Sequence, residues 1–247
     1  MANTLDYKID GDDFQYVHVR LAPCEAVRAE PGAFLWMEQG IEMETSTGGG
    51  LLAGLKRAIG GESFFVTTFT NQGGRDATVG FAAPYPGKIV PLELSRGAIT
   101  CQRDAYLCST PDAQISLAFS KRFGAGLFGG EGFILQRIVG VGTAFLHASG
   151  GLIQRDLERG EELRVDTGCI VAFEDGVDYD IQMVRGVKSW LFGGEGLFYA
   201  VLRGPGRVWL QTLPFSRLAG RLMAASGGSS EQHLRGGNLL GGLLQGE

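Results

Sequence analysis

The sequence has few of the side chains from which metal sites and nucleophilic sites are built. Its 247 residues include 3 His and 4 Cys. Cys24, Cys101, Cys108 and Cys169 form no closely spaced pair of the kind that metal and redox motifs use. The HExxH and GxSxG motifs are also missing. The sequence therefore predicts a protein that is not an enzyme and that holds no metal.

Long apolar runs and an excess of positive charge are missing as well. No window approaches ~18 consecutive apolar residues, so no transmembrane helix is predicted. The formal net charge is −5 and the isoelectric point is about 5.3, which disfavours nucleic acid as a partner. The first residues lack the pattern of a signal or transit peptide. A cytoplasmic location is expected, and association with a membrane surface is the alternative.

Glycine, by contrast, is abundant. The chain has 40 Gly, about twice the usual ~7%. These glycines follow no three-residue period and occur with only 8 Pro, which excludes collagen. Hydrophobic residues make up 44% of the chain, enough for an ordered core. The glycines are therefore expected to serve turns and loops of a globular protein.

A Gly-Gly-Glu pattern recurs three times, with its carboxylates at Glu62, Glu131 and Glu195. The copies are 69 and 64 residues apart. In phase with them, residues 21–34 can be aligned with 157–170 and, one residue shorter, with 94–106. Two patterns in phase predict three internal repeats, at about 14–80, 81–150 and 151–212. The repeats form a single predicted domain over 1–225, followed by a Gly/Ser-rich tail at 226–247.

Short β-branched and aromatic runs separated by glycine turns predict an all-β fold. The clearest predicted strands are 16–21, 63–70, 132–139 and 197–202. Many short strands of this kind are typical of a closed or sandwiched sheet structure. One helical stripe, at 215–224, predicts a short C-terminal helix.

Three segments together carry a family resemblance. They are Gly54-Leu-Lys-Arg followed by the first Gly-Gly-Glu-Ser-Phe-Phe, then Pro86-Gly-Lys-Ile, then Leu210-Gln-Thr. From about residue 7 to 222 the chain resembles bacterial-type members of the altered-inheritance-of-mitochondria (mitochondrial biogenesis) family. The resemblance implies a double-stranded β-helix in three pseudo-equivalent parts, like that of the tryptophan RNA-binding attenuation protein (TRAP). Eukaryotic members are linked to inner-membrane organisation in mitochondria.

The three Gly-Gly-Glu carboxylates are the most distinct acidic set, and two roles fit them. Carboxylates that face each other across a substrate act as acid and base. Repeats about 65 residues long would instead place Glu62, Glu131 and Glu195 at distant, equivalent corners. There each would accept hydrogen bonds from turn amides or pair with a nearby cation. The structural role is the favoured interpretation.

The segments before each Gly-Gly-Glu combine large apolar side chains with cations. Such a mixture suits a membrane surface or a partner groove, but it also suits packing in a core or subunit interface. Both interpretations stay open, and packing is favoured. The candidate residues are Leu52, Leu55, Lys56, Arg57, Phe123, Phe128, Lys188, Trp190 and Phe192.

Two motif matches predict no chemistry. Residues 124–129 fit GxGxxG, but a strand rather than a helix is predicted to follow, so no dinucleotide cofactor is expected. His147 and Ser149 stand two apart on a predicted turn, where they rarely form a nucleophilic pair. The sequence thus predicts a non-enzymatic interaction or scaffold protein that forms a homo-oligomer, with a trimer as one candidate. The alternatives are a peripheral membrane-associated adaptor, and a small-molecule binder or enzyme with a pocket on the pseudo-threefold axis.

Overall fold

The structure, a computed structural model, describes residues 5–46, 66–121, 133–183, 198–215, 217–219 and 221–222. Within these ranges the protein consists almost entirely of antiparallel β-strands joined by short turns, so the predicted all-β fold is confirmed. The predicted C-terminal helix is also present, since residues 215, 217–219 and 221–222 are helical. No helix of the described ranges has the length and apolar character needed to cross a bilayer.

The described ranges contain nineteen strands. Their bounds are β1 Asp6–Asp10, β2 Tyr16–Leu21, β3 Ala26–Ala29, β4 Phe34–Met37, β5 Ile41–Ser46, β6 Val66–Asn71, β7 Ala77–Ala82, β8 Gly87–Glu93, β9 Ile99–Gln102, β10 Tyr106–Ser109, β11 Gln114–Lys121, β12 Phe133–Val139, β13 Thr143–Ser149, β14 Leu152–Leu157, β15 Glu162–Asp166, β16 Ile170–Glu174, β17 Asp178–Met183, β18 Phe198–Arg203 and β19 Gly206–Gln211.

Alternation of apolar and polar side chains explains why these segments are strands. In β2 the side chains of Val17, Val19 and Leu21 are buried, whereas those between them are half-buried or exposed. Successive side chains of a strand point to opposite faces of the sheet, so one face of β2 enters a core. Strand β13 is buried at every position, which is typical of a central strand covered on both faces.

The strands form four sheets. Sheet A has the order β1-β2-β7-β4, and sheet B has the order β5-β6-β3-β10-β13-β8. Sheet C has the order β11-β12-β9-β16-β19-β14, and sheet D has the order β15-β18-β17. Strand β4 therefore ends sheet A, and strand β15 ends sheet D.

One order of elements occurs in three successive stretches, residues 16–82, 87–149 and 152–211. In each stretch six strands are described, with a 3₁₀ turn between the second and third strands. These turns are Pro31–Ala33, Arg103–Ala105 and Thr167–Cys169. The second stretch has a further 3₁₀ turn, Leu94–Arg96, between its first and second strands. The residues that the sequence comparison aligned, Phe34, Tyr106 and Ile170, each begin the strand that follows the turn.

Sheets B and C each connect two stretches through one pair of strands. In sheet B, β3 of the first stretch pairs with β10 of the second, with Ala29 opposite Cys108. In sheet C, β9 of the second stretch pairs with β16 of the third, with Cys101 opposite Ala172. Each joint thus links the second strand of one stretch to the third strand of the next. We call these pairs the β3–β10 joint and the β9–β16 joint.

Three clusters of buried apolar side chains form the interior, and side chains cross from one stretch into the core of its neighbour. Core 1 belongs mainly to the first stretch, core 2 to the second and core 3 to the third. The side chains that cross include Leu107, Cys108 and Phe145 into core 1, Val171, Ala172 and Trp209 into core 2, and Phe133 and Leu135 into core 3. Each joint is therefore both a strand pairing and a packed apolar contact.

The buried amide of Asn71 fixes the turn that follows β6. Its Nδ2 donates hydrogen bonds to the carbonyl oxygens of Leu21, at 2.8 Å, and Arg75, at 2.9 Å. Its Oδ1 accepts a hydrogen bond from the backbone N–H of Gly73 at 2.9 Å. One side chain thereby satisfies three backbone groups and ties β6 to the end of β2.

Candidate assembly surface

The residues singled out in the sequence as candidate sites lie outside the described residues. Their predicted roles, as structural turn carboxylates or as packing and interaction loops, stay predictions. They are Glu62, Glu131, Glu195, Leu52, Leu55, Lys56, Arg57, Phe123, Phe128, Lys188, Trp190 and Phe192. The predicted tail at 226–247 also lies outside the described ranges.

Strand β4 exposes apolar side chains along almost its whole length. Phe34, Leu35 and Met37 are 39%, 50% and 40% exposed. Strands β10 and β16, which follow the 3₁₀ turns Arg103–Ala105 and Thr167–Cys169, are buried instead. Leu107 and Val171 hold the same position after their turns as Leu35, and they are 2% and 0% exposed. The side-chain position that is buried in β10 and in β16 is thus exposed in β4.

The indole of Trp36 forms the centre of this surface. Trp36 is opposite Gly80 in β7, and a Cβ at Gly80 would lie 2.5 Å from the indole Nε1. The imidazole of His18 is next to the indole, with ring centroids 6.2 Å apart, and its Nε2 is 2.7 Å from a carboxylate oxygen of Asp10. The half-buried indole therefore occupies the space that a side chain at residue 80 would fill.

The hydrogen-bonding edge of β4 is also uncovered. Among the described strands, β4 pairs with β7 alone, so its other edge has no strand beside it. An edge strand presents every second N–H and C=O outwards and is a template for a further strand. We call the exposed side chains and free edge of β4, residues 34–37, the β4 surface.

Strand β15 presents a free edge at one end of sheet D. In the part of the chain that the structure describes, β15 pairs only with β18. Val165 is buried in core 3, whereas Glu162 and Arg164 are exposed and form an ion pair at 3.1 Å. The carboxylate of Asp166 accepts hydrogen bonds from the Gly168 N–H, at 2.9 Å, and from the Arg217 guanidinium, at 2.6 Å. The Asp166 side chain is thus engaged on its own chain.

His147 is a buried histidine of the described ranges. It lies within β13 and not on the turn that the sequence predicted, because the strand continues to Ser149. The ring is 2% exposed, neither nitrogen has a hydrogen-bond partner among the described atoms, and Tyr85 packs against it at 4.9 Å. Burial lowers the pKa of His147 to about 4, so the imidazole is neutral at neutral pH.

The thiols of the two joints are in an unreactive state. Cys108 lies in the β3–β10 joint and Cys101 in the β9–β16 joint, and both are fully buried. Burial raises the pKa of Cys101 to about 12 and that of Cys108 well above its ordinary value. Both thiols are therefore protonated at neutral pH, and they pack as small apolar groups.

One open cleft of about 440 Å³ lies beside the β9–β16 joint, with Thr100, Phe173 and Tyr179 in its lining. Arg137 and Asp175 form a two-pronged ion pair across it. The hydrogen bond from Arg137 lowers the pKa of the Asp175 carboxyl. The charges of Arg137 and Asp175 in the cleft therefore neutralise each other. The described residues contain no cluster of His, Cys, Asp and Glu that could hold a metal ion.

Sequence reasoning missed the β4 surface. The local sequence Phe-Leu-Trp-Met is no more apolar than that of β16, which is buried and begins Ile-Val-Ala-Phe. Strand β4 differs from β10 and β16 in the sizes of the side chains that face each other across the strand pair. In β4 the large side chain lies on the strand after the turn and the small one on its partner. Trp36 faces Gly80, whereas Cys108 faces Phe145 and Ala172 faces Trp209.

The fold can be compared with known proteins. The family model of mitochondrial biogenesis AIM24 matches residues 7–213, which is most of the chain. The chain belongs to this family. The AIM24 match covers all nineteen described strands apart from the first residue of β1.

Two relatives of this AIM24 family chain come from Streptococcus pyogenes. An uncharacterised protein of the serotype M6 strain is 28% identical over 229 residues, which is 89% of this chain and 90% of the relative. The X-ray crystal structure of an S. pyogenes protein superimposes with a TM-score of 0.73 and 26% identity. That match covers 90% of this chain and 99% of the other, so the two proteins share their fold.

Proposed function

We propose that this AIM24 family protein is a non-enzymatic scaffold that acts by assembling through its β-sheets. The observation that carries the proposal is the β4 surface, where three large apolar side chains and a free strand edge are exposed together. Fully burying one such side chain is worth about 1.5–3 kcal/mol. A flat apolar edge is a liability for a soluble protein unless a partner covers it.

The described ionisable groups support a scaffold rather than a catalyst. The joint thiols are protonated, the imidazole of His147 is neutral and enclosed, and Arg137 and Asp175 neutralise each other. Catalytic groups are typically poised with pKa values close to the working pH and face a cleft. The pKa shifts here move the groups away from that range, and they arise from burial or, at Asp175, from the ion pair with Arg137.

The scaffold is proposed to contain three copies of one six-stranded unit in a single domain over 1–225. The shared order of strands and 3₁₀ turns supports this repeat, as does the equal register of the two joints. Equivalent units that bind their neighbours in the same way favour a pseudo-threefold arrangement and a homo-oligomer.

Light scattering coupled to size exclusion tests the proposed assembly. The wild-type protein is expected to have a multiple of the 26.4 kDa chain mass, and Leu35→Ser is expected to reduce that mass. Ile153→Ser is a matched control, since Ile153 is 44% exposed on β14. A wild type that is monomeric at every concentration would contradict assembly. If that monomer binds anionic vesicles through Leu35, the protein is a membrane adaptor instead.

A further inference from the structure

We propose that β4 of one copy pairs with β15 of a second copy, antiparallel and head to tail, with Trp36 opposite Val165. The proposal rests on the proposed assembly function and names its partner and its register. It concerns two of the free sheet edges in the described ranges, that of β4 in sheet A and that of β15 in sheet D.

The chain contains the same joint twice, and both copies have one register. In the β3–β10 joint Ala29 is opposite Cys108, and in the β9–β16 joint Cys101 is opposite Ala172. Ala29 and Cys101 are two residues before their 3₁₀ turns, whereas Cys108 and Ala172 are the third residues after theirs. The turns therefore define where the two strands meet.

Strands β4 and β15 are the two strands of this type without such a partner in the described structure. β4 follows the first 3₁₀ turn, as β10 and β16 follow theirs. β15 precedes the last 3₁₀ turn, as β3 and β9 precede theirs. By the same count, Trp36 is the third residue after its turn and Val165 is the second before its turn. The joint that remains to be made is thus β15 with β4.

The hydrogen bonds of the new joint follow from those already present. The N–H of Glu30, just after β3, donates to the Leu107 carbonyl oxygen at 3.0 Å. The residues in the same positions of the proposed joint are Asp166 and Leu35. The Asp166 N–H is therefore expected to donate to the Leu35 carbonyl of the second copy. The Asp166 carboxylate already binds Gly168 and Arg217, so it does not compete for this bond.

The side chains of β4 are suited to the core position that aromatic rings occupy at the two existing joints. At each joint one aromatic ring enters the core of the preceding stretch, namely Phe145 in core 1 and Trp209 in core 2. The small partners opposite these rings are Cys108 and Ala172. In β4 the sizes are exchanged, so the indole of Trp36 supplies the ring above Gly80. Trp36 and Leu35 would therefore close core 3 of the second copy.

The two surfaces differ, so the contact is heterologous. Such a contact closes into a ring when the rotation between copies allows it, and otherwise extends as a filament. The two edges are unpaired with each other in the described chain, since sheets A and D are separate. The assembly therefore uses a second copy rather than closure within one chain.

Disulfide trapping tests both the partner and the register. The background carries Cys24→Ser and Cys169→Ser, so that only the buried Cys101 and Cys108 remain. One preparation then carries Met37→Cys and another carries Arg164→Cys. Met37 and Arg164 are directly opposite in the proposed register. Mixed at low concentration and then concentrated, the two preparations are expected to form a disulfide-linked pair under mild oxidation.

The matched control pairs Met37→Cys with Glu162→Cys, two residues or ~7 Å along β15 on the same face. The pair Met37→Cys with Arg164→Cys is expected to cross-link at least about tenfold faster than this control, because only directly opposed Cβ atoms are within disulfide reach. Equal rates would overturn the register. A single chain carrying both Met37→Cys and Arg164→Cys that closes an internal disulfide would overturn the second copy as partner.

Hydrogen exchange of the wild type provides a measurement that needs no variant. Amides of 34–38 and 163–166 are expected to become more protected as the concentration rises, whereas those of the edge strand β14 stay unchanged. Unchanged protection of both segments would contradict the pairing. A protein that assembles without the cross-link refutes this joint and leaves the scaffold function intact, whereas a strict monomer refutes both.

Discussion

The indole of Trp36 lies so close to the backbone of Gly80 that a Cβ there would be 2.5 Å from Nε1. The two residues are opposite each other in adjacent strands, and the largest side chain thus faces the smallest. The lack of a side chain at residue 80 allows the indole to approach the backbone of β7 this closely. Much of the β4 surface therefore depends on one glycine.

Gly80→Ala is expected to lower the free energy of unfolding by about 1–3 kcal/mol, because the added methyl group displaces the indole. Urea denaturation measures this loss. Gly74→Ala is the control, since no atom lies within 4 Å of a Cβ at residue 74. Equal unfolding free energies for the two variants would mean that the contact carries no strain.

Asn71→Ala is expected to destabilise the protein by about 2–4 kcal/mol. The variant leaves the carbonyl oxygens of Leu21 and Arg75 without their donor and the Gly73 N–H without its acceptor. Gln72→Ala, at the exposed neighbouring residue, is the control and should change stability little. Thermal unfolding followed by circular dichroism compares the two, and similar melting temperatures would contradict the role given to Asn71.

Stability is expected to fall between pH 6.5 and pH 4 through His147. The unfolded chain takes up a proton near the ordinary pKa of 6.5, whereas burial lowers the folded pKa to about 4. The unfolded state therefore binds more protons in this window, and acid favours it by up to about 3 kcal/mol. His147→Leu should remove this part of the pH dependence of urea unfolding. An unchanged profile in that variant would assign the effect to other groups.

Thiol labelling is expected to separate the cysteines into two classes. Cys24 is exposed and should react with iodoacetamide in the folded protein, whereas Cys101 and Cys108 are buried and protonated and should react only on unfolding. Mass spectrometry after a short pulse identifies the labelled residues. Early labelling of Cys108 would mean that the β3–β10 joint opens in the native state.

Local features of the fold were predictable from the sequence. The alternation in 16–21 marks β2, and the alignment of residues 21–34 with 157–170 places Phe34 and Ile170 at the start of corresponding strands. These features depend on side-chain period and on turn residues within a short window. They can be read from the local amino-acid sequence without knowing which distant residues pair with it.

The candidate surface was not predictable in the same way. Strand pairing joins residues far apart in sequence, as Ala29 and Cys108 are, and an apolar strand looks alike whether its edge is paired or free. The same limit applies to His147, whose placement on a turn was wrong because β13 continues through Ser149 before it turns. Burial of its ring depends on Tyr85, which no local pattern links to it.

The crossing of Leu107, Cys108 and Phe145 into core 1 has a consequence for how the chain folds as it is synthesised. The first stretch cannot complete its interior when it leaves the ribosome, because the missing side chains have not been made. Core 1 can therefore be completed only after the second stretch has been synthesised. A truncation at residue 82, after the first stretch, is therefore expected to leave core 1 without Leu107, Cys108 and Phe145.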